Sequence, residues 1–241
     1  MQVTAIVVAA GKGTRMGLGF NKVYAELGDK PVLAHSLICL QQNPRIAQII
    51  VVAASGEEEI ARRVIETYNI QKAGNVITGG STRFRSVAAA LPHMNCQSDV
   101  VLVHDGARPF LSADDLEAVI QEGSRGGGAI LATPVTDTIK RVRLSAKDAA
   151  CKARGVIIET PDRSTLWRAL TPQVFPISLF LEAYSALGST VTDDASLLEA
   201  MGSNVKIVEG SPENIKITNP MDLMVAELFL REKNKKVTRC E

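Results

Sequence analysis

Residues 5–22 read AIVVAAGKGTRMGLGFNK, and their order decides how the rest of the chain is understood. An apolar, β-branched run of the kind that fills a buried strand breaks into Gly11, Gly13, Gly17 and Gly19, with Lys12, Arg15 and Lys22 threaded between them. Glycine lets backbone N–H groups approach phosphate oxygens with no Cβ in the way, and the basic side chains supply compensating charge. The stretch therefore predicts a buried strand that delivers a glycine loop to an anion. A P-loop would end in Gly-Lys-Ser/Thr, and residues 11–16 have no such ending. A dinucleotide loop needs GxGxxG and an acidic residue at the tip of the next strand; here the spacing is Gly11-x-Gly13-x-x-x-Gly17, and the next strand, residues 49–55, ends at Ser55.

The surrounding pattern alternates strands and helices. Residues 31–42 form an apolar helical stripe stopped by Asn43-Pro44, residues 49–54 a second buried strand, and residues 57–68 an amphipathic helix with acids in its first turn, where the helix dipole favours them. A short strand at 76–78 runs into Gly79-Gly80 and then Ser81-Thr82-Arg83-Phe84-Arg85-Ser86-Val87, a second glycine turn feeding a helix N-terminus. Residues 99–104 are a strand leading directly into Asp105-Gly106-Ala107-Arg108-Pro109. A helix over 113–123 capped by Ser112 and a strand over 127–134 follow. The βαβα order predicts an α/β fold: a single domain over residues 1–241, with a mostly parallel, doubly wound, Rossmann-like sheet. Ligands of such sheets bind beyond the carboxyl ends of the strands, so Asp105 and Arg108 are expected at the same crevice as the first loop.

Residues 135–160 break the pattern. Two β-prone arms flank a polar centre at 145–154, which predicts a projecting hairpin with too little core of its own, and hence a partner surface. Residues 163–173 lead back toward the sheet. A helix near 177–187, a helix opening at Thr192-Asp193-Asp194-Ala195, strands at 205–208 and 214–218, and a helix from Met221 into a basic tail complete the chain.

With 241 residues and 46% hydrophobic content, one large α/β domain is expected, and a net charge of +1 argues against a nucleic-acid-binding surface. Cys39, Cys96, Cys151 and Cys240 form no CxxC pair, so neither zinc nor disulfides are expected and a reducing cytoplasm fits. No segment approaches membrane-spanning length, and the N-terminal run lacks the basic lead-in of a signal peptide. A soluble, cytoplasmic protein with no nucleic-acid or membrane partner is the expectation.

Arg15 and Lys22 are the first candidates for chemistry, as fixed cations able to stabilise charge developing on a phosphate; the competing reading is a solvated basic loop. Asp105 can position a magnesium ion or bind a substrate hydroxyl, or simply pair with Arg108 and shape the turn. Lys140, Arg141, Arg163 and Lys216 read individually as surface charge or as ligand contacts. His104 reads as a packed or turn-stabilising residue, His35 and His93 as structural, Asp193-Asp194 as helix capping and Trp167 as packing.

The segments AAGKGTRM, Asn21-Lys22, GGSTRFRSV, VHDGARP, PVTDTIKR, LTPQ, TDDAS and NIKIT occur in this order over nearly the whole chain. The first resembles the signature loop of nucleotide-sugar-type nucleotidyltransferases. The full series resembles the 2-C-methyl-D-erythritol 4-phosphate cytidylyltransferases of non-mevalonate isoprenoid synthesis. The resemblance implies that CTP and methylerythritol phosphate are joined, with Mg²⁺ held mainly by the CTP phosphates and Asp105 as a protein contact. By the same resemblance Ala9, Ala10, Gly11 and Gly13 wrap the phosphates, Arg15 and Lys22 stabilise the α-phosphate, and Lys216 sits beside it. Gly80, Ser81 and Ser86 read the cytosine, and Asp105, Arg108, Thr138, Arg163 and Thr171 hold the phosphorylated polyol. The hairpin is implied to reach into the other subunit of a homodimer.

Two positions depart from the family's pattern. Asn21-Lys22-Val23-Tyr24 stands where many members have Pro-Lys-Gln-Tyr, and Ser81 stands where an acid is common. The alternative enzyme is a ribitol-5-phosphate cytidylyltransferase, which shares most of these motifs. A non-catalytic nucleotide sensor is the alternative of another class; it has no use for the transition-state charge of Arg15, Lys22 and Lys216.

Overall fold

The computed structural model describes residues 1–11, 20–144, 155–186 and 193–238. Arg15 and Gly13, the polar tip of the hairpin and Thr192 lie outside the described residues. Strand β1 (Val3–Val8) is the buried axis expected from its sequence. It is followed by the small pair β2 (Glu26–Leu27) and β3 (Lys30–Pro31), helix α1 (Val32–Gln42), β4 (Ile46–Ala53), α2 (Glu58–Thr67), β5 (Asn75–Thr78), α3 (Arg83–Ala90), β6 (Val100–Asp105), α4 (Ala113–Gly123) and β7 (Ala129–Pro134). The remaining elements are β8 (Arg141–Leu144), β9 (Gly155–Glu159), β10 (Trp167–Pro176), α5 (Ile177–Ala186), α6 (Ala195–Ala200), β11 (Lys206–Glu209) and α7 (Pro220–Thr238).

Seven strands form one sheet in the order β11-β7-β10-β6-β1-β4-β5, parallel except for β10. The two-residue period of β1 sends Ala5 and Val7 to a core shared with Leu33, Leu37 and Leu116, and Ile6 to a second core with Val103, Phe175, Phe180 and Leu198. Both faces are therefore covered, as a parallel sheet with continuous apolar strands requires. From β1 the chain moves outward to β4 and β5, then returns across β1 to β6. The switch point lies between β1 and β6, and their carboxyl ends frame a crevice.

Two segments differ from the sequence reading. Residues 167–176 are not a connection but β10, inserted between β7 and β6 and antiparallel to both. Pro172 and the polar Arg168, Thr171 and Gln173 disguise the strand, since proline disfavours a central position. It is accommodated by a register shift between Ala169 and Gln173. Residues 214–218, expected as a strand, are irregular. They are tethered by the Ile217 N–H donating to the Ala107 carbonyl (2.9 Å) and by Arg108 Nη1 donating to the Asn214 carbonyl (2.7 Å). Trp167, expected to pack, is 38% exposed.

The hairpin is present as the antiparallel pair β8–β9, outside the main sheet. Val142, Leu144, Val156, Ile157 and Ile158 are all exposed on it. Helix α6 starts at Ala195 after the cap position Asp194, whose side chain turns inward, fully buried, and makes no capping bond; the carboxylate of Asp193, one residue earlier, accepts from the Ser196 N–H (3.2 Å) instead.

His104 is fully buried at the end of β6. The Asp105 N–H donates to Thr171 Oγ1 (3.0 Å), and that hydroxyl donates in turn to His104 Nδ1 (3.0 Å), which leaves Nε2–H facing the Arg108 carbonyl (3.4 Å). Burial pushes the imidazole from 6.5 down to about 4; the Asp105 charge opposes this, and the nearby Arg108 and Lys216 add to it. Below pH 6.5 the unfolded chain binds a proton that the folded protein refuses until near pH 4. Stability is therefore expected to fall through that window by up to about 1.4 kcal/mol per pH unit. Urea midpoints measured between pH 7 and pH 4 should decline less steeply for His104→Gln than for wild type; parallel curves would contradict this.

Candidate active site

At the switch point a cavity of about 260 Å³ is lined by Ala9, Ala10 and Gly11 after β1, by Lys22, by Gly80, Ser81 and Ser86, and by Asp105 and Lys216. The glycine turn after β5 approaches the first loop so closely that a Cβ on Gly79 would lie 2.5 Å from that of Ala10. Ser86, one turn into α3, accepts from the Gly80 N–H (3.1 Å), and its hydroxyl also reaches the Thr82 carbonyl (2.9 Å), fixing the turn to its helix. Thr82 caps α3 by accepting from the Arg85 N–H (3.1 Å).

Lys22 is carried on a short turn of helix, Lys22–Tyr24, whose cap is Asn21. Asn21 is almost fully buried; its Nδ2 donates to the Ala9 carbonyl (2.8 Å) and to Glu57 Oε2 (2.8 Å). It thus ties the lysine's turn both to the end of β1 and to the start of α2. Its backbone, at φ −72° and ψ 129°, is also one that proline adopts, consistent with proline being common there in relatives by the resemblance.

Asp105 is buried among cations from three parts of the chain. Its carboxylate lies 2.8 Å from Lys216 Nζ, 3.6 Å from Arg108 Nε and 3.8 Å from Arg83 Nε. Burial alone would raise its pKa, but Lys216, Arg83 and Arg108 together outweigh this and hold it well below the usual carboxylate range. Arg83 also contacts Asp194 at 2.7 Å, and Tyr184 donates to the same carboxylate at 2.6 Å. Gln173 Oε1 accepts from the Asp194 and Ala195 N–H groups (3.1 Å each) while its Nε2 donates to Asp193 (2.9 Å), locking α6 onto β10.

A second cavity of about 250 Å³ adjoins the first, sharing Arg83, Asp105 and Lys216 and adding Arg108, Thr171 and Gln173. The expected site residues on described positions thus gather in two connected hollows, except Thr138 and Arg163. Both of these are exposed, and Arg163 Nη1 donates to the Thr136 carbonyl (2.9 Å) at the base of the hairpin. Lys140 and Arg141 stay on the hairpin, bonded to Thr160 and Glu159. Arg83, Asn21, Gln173, Asn214 and Asp194 escaped the sequence reading as site residues. Arg83 carried a usable signal: a cation in the first turn of a helix opposes the dipole, which calls for a nearby carboxylate. Among the described residues no three His, Cys, Asp or Glu side chains converge on a metal-sized space, and no helix is long and apolar enough to cross a membrane.

A family model described as 2-C-methyl-D-erythritol 4-phosphate cytidylyltransferase matches residues 3–232. The chain is 42% identical to the protein of that name from Alkaliphilus metalliredigens, covering 100% of this chain and 97% of the relative. It is 40% identical to the one from Desulforamulus reducens, covering 96% and 97%. The crystal structure of 4-diphosphocytidyl-2C-methyl-D-erythritol synthase from Anaerococcus prevotii superposes with a TM-score of 0.78 at 31% identity, covering 95% of this chain and 98% of that one. The 2-C-methyl-D-erythritol 4-phosphate cytidylyltransferase of Thermus thermophilus superposes at 0.73 with 30% identity, covering 96% and 100%. With a family model spanning most of its length and relatives this similar end to end, the chain belongs to the 2-C-methyl-D-erythritol 4-phosphate cytidylyltransferase family.

Proposed function

We propose that the chain transfers CMP from CTP to 2-C-methyl-D-erythritol 4-phosphate. An oxygen of the acceptor's phosphate attacks the α-phosphorus, a new P–O bond forms, the bond to the bridging oxygen breaks, and pyrophosphate leaves with the electron pair. The observation that supports this most is the joining of two hollows through Lys216 and Asp105, one lined by glycine turns and the other by Arg108 and Thr171. The first suits a nucleoside triphosphate: Ala9, Ala10, Gly11 and Gly13 wrap the phosphates, and Gly80, Ser81 and Ser86 read the base. Arg15, Lys22 and Lys216 stabilise charge developing on the α-phosphate. Asp105, Arg108 and Thr171 take the polyol.

The family works with a divalent metal, and we assign it as Mg²⁺. The described residues do not form a cage for it, and the carboxylate oxygens of Asp105 face Lys216, Arg108 and Arg83. The ion is therefore assigned to the triphosphate. We place the protein in the cytoplasm, as a homodimer in which the exposed apolar hairpin of one subunit brings Thr138 and Arg163 to the site of its partner. Five exposed Val, Leu and Ile side chains on a two-stranded hairpin support that reading.

Pyrophosphate release should be fastest with CTP and methylerythritol phosphate in a matrix of the four ribonucleoside triphosphates against that acceptor and ribitol 5-phosphate. Faster turnover with ribitol phosphate would move the chain to the alternative enzyme, and preference for a purine triphosphate would overturn both. Lys22→Ala should lose on the order of 10²–10³ in kcat with a normal unfolding transition; near-native turnover would remove its assigned role.

Mixing Lys22→Ala with Arg163→Ala under subunit exchange tests the shared site. If Arg163 acts in trans, a mixed dimer holds one doubly defective and one intact site, and random pairing returns roughly a quarter of wild-type activity. No recovery despite confirmed exchange would place Arg163 in its own subunit's site.

A further inference from the structure

A third hollow, of about 320 Å³, adjoins the second and is lined by Arg108, Arg168, Lys216 and Asp222, among others. Glu57 and Glu58, at the start of α2, line none of the three, yet each is bonded to a residue that leads into the wall of the first. Acids in the first turn of a helix are accounted for by its dipole alone, and Glu59 fits that account, with Arg62 (3.3 Å) and Arg63 (3.9 Å) of the same helix as its partners. The other two carboxylates are directed elsewhere.

Glu57 stands at the cap position of α2, but its side chain makes no capping bond. Its Oε2 accepts instead from Nδ2 of Asn21, 36 residues earlier (2.8 Å). That Nδ2 also donates to the Ala9 carbonyl (2.8 Å), and Asn21 Oδ1 accepts from the Val23 N–H (3.4 Å). At the far end of the same short turn, the Tyr24 hydroxyl donates to the Glu57 carbonyl (3.4 Å). The turn that carries Lys22 is thus held at both ends by one residue of α2. Glu58 holds a second wall. Its Oε1 accepts from Thr78 Oγ1 (2.5 Å) and its Oε2 from the Gly56 N–H (2.8 Å). Thr78 ends β5 and leads into Gly79-Gly80, of which Gly80 lines the nucleotide cavity. The Thr78 hydroxyl is the main reason that the Glu58 carboxyl lies below its ordinary value.

We propose that the first turn of α2 positions the nucleotide cavity, with Glu57 acting through Asn21 on Lys22 and Glu58 acting through Thr78 on the Gly79-Gly80 turn. Both are positioning residues, since neither lines the cavity. The inference rests on the cytidylyl transfer read above and adds to it the groups that fix where Lys22 and the glycine turn stand. A cation lowers the barrier only when it is fixed where charge develops, and a displacement of about 1 Å can cost on the order of 10²-fold in rate.

Glu57 and Glu58 are partly exposed, so their variants should keep the wild-type unfolding transition. Glu57→Ala should lower kcat about 10- to 100-fold with little change in the KM for CTP, because Lys22 is assigned to charge that develops in the transition state. Glu57→Gln keeps an acceptor for Asn21 and should recover most of that loss. In a Lys22→Ala background Glu57→Ala should cost little more, since its effect passes through the lysine. Glu58→Ala should instead raise the KM for CTP about 5-fold. An unchanged kcat in Glu57→Ala, or a loss that adds fully to that of Lys22→Ala, would overturn the role of Glu57; an unchanged KM for CTP would overturn that of Glu58. Amide hydrogen exchange reads the turn without activity. The Tyr24 and Ala25 N–H groups, which donate to the Asn21 and Lys22 carbonyls (3.0 and 3.2 Å), should exchange faster in Glu57→Ala and at the wild-type rate in Glu57→Gln, with the amides of β1 unchanged. Equal exchange in all three proteins would overturn the proposal. Should wild type fail to join CTP and methylerythritol phosphate, the transfer reading falls, and exchange still decides whether Glu57 holds the turn.

Discussion

A single buried carboxylate, Asp105, holds the functional end of this sheet together. Taking it out of water is costly on its own, and it stays charged because Lys216, Arg108 and Arg83 surround it. Each cation arrives on a different piece of chain: the irregular segment before α7, the turn after β6 and the first turn of α3. Their common attraction to one group brings those pieces into register. Arg83 extends the connection by contacting Asp194, whose other oxygen is held by Tyr184 and whose backbone is held by Gln173. Removing one partner from such a buried set leaves an uncompensated charge, which typically costs about 3–5 kcal/mol.

The same arrangement leaves more positive charge at the strand ends than the protein neutralises. Lys22, Lys216, Arg108 and Arg168 line three connected cavities in which Asp105, Asp193 and Asp222 are the only carboxylates among the described residues, and each of these already has partners. In the proposed transfer, two substrates that both carry phosphate supply the missing negative charge. Fixed cations in a partly enclosed site need little reorganisation as charge builds on the α-phosphate, which is where they lower the barrier most. Asn21 contributes at one remove, by tying the turn that carries Lys22 to β1 and α2.

What could be read from the sequence was what is local. The apolar run before Gly11, the glycine pair after β5 and the acid at the end of β6 each announce a strand that delivers a functional turn, and all three meet in one cavity. Strand β10 was hidden because Pro172 and the polar Arg168, Thr171 and Gln173 imitate a connection, although Thr171 and Gln173 line the second hollow. The partners of Arg83 were hidden for another reason. Asp105 and Asp194 are far from it in the chain, and only the topology of the sheet brings them near. The irregular path of residues 214–218 follows from the same cause: it is held by single tethers to Ala107, Arg108 and the Thr171 carbonyl of β10 and forms no ladder with a neighbouring strand. Thr138 and Arg163, named through resemblance, line none of the three hollows.

The charge state of Asp105 is the most direct test of this picture. Carbon-13 NMR of the aspartate carboxyl groups, with the Asp105 resonance assigned by its loss in Asp105→Asn, can follow it from pH 7 down to pH 4. An ordinary aspartate is about half protonated near the end of that range, whereas Asp105 held by Lys216, Arg83 and Arg108 should remain ionised throughout, with no titration shift of its own. A titration shift of Asp105 within that range, like that of an aspartate with the ordinary value of 3.8 or above, would contradict the central place given to this carboxylate.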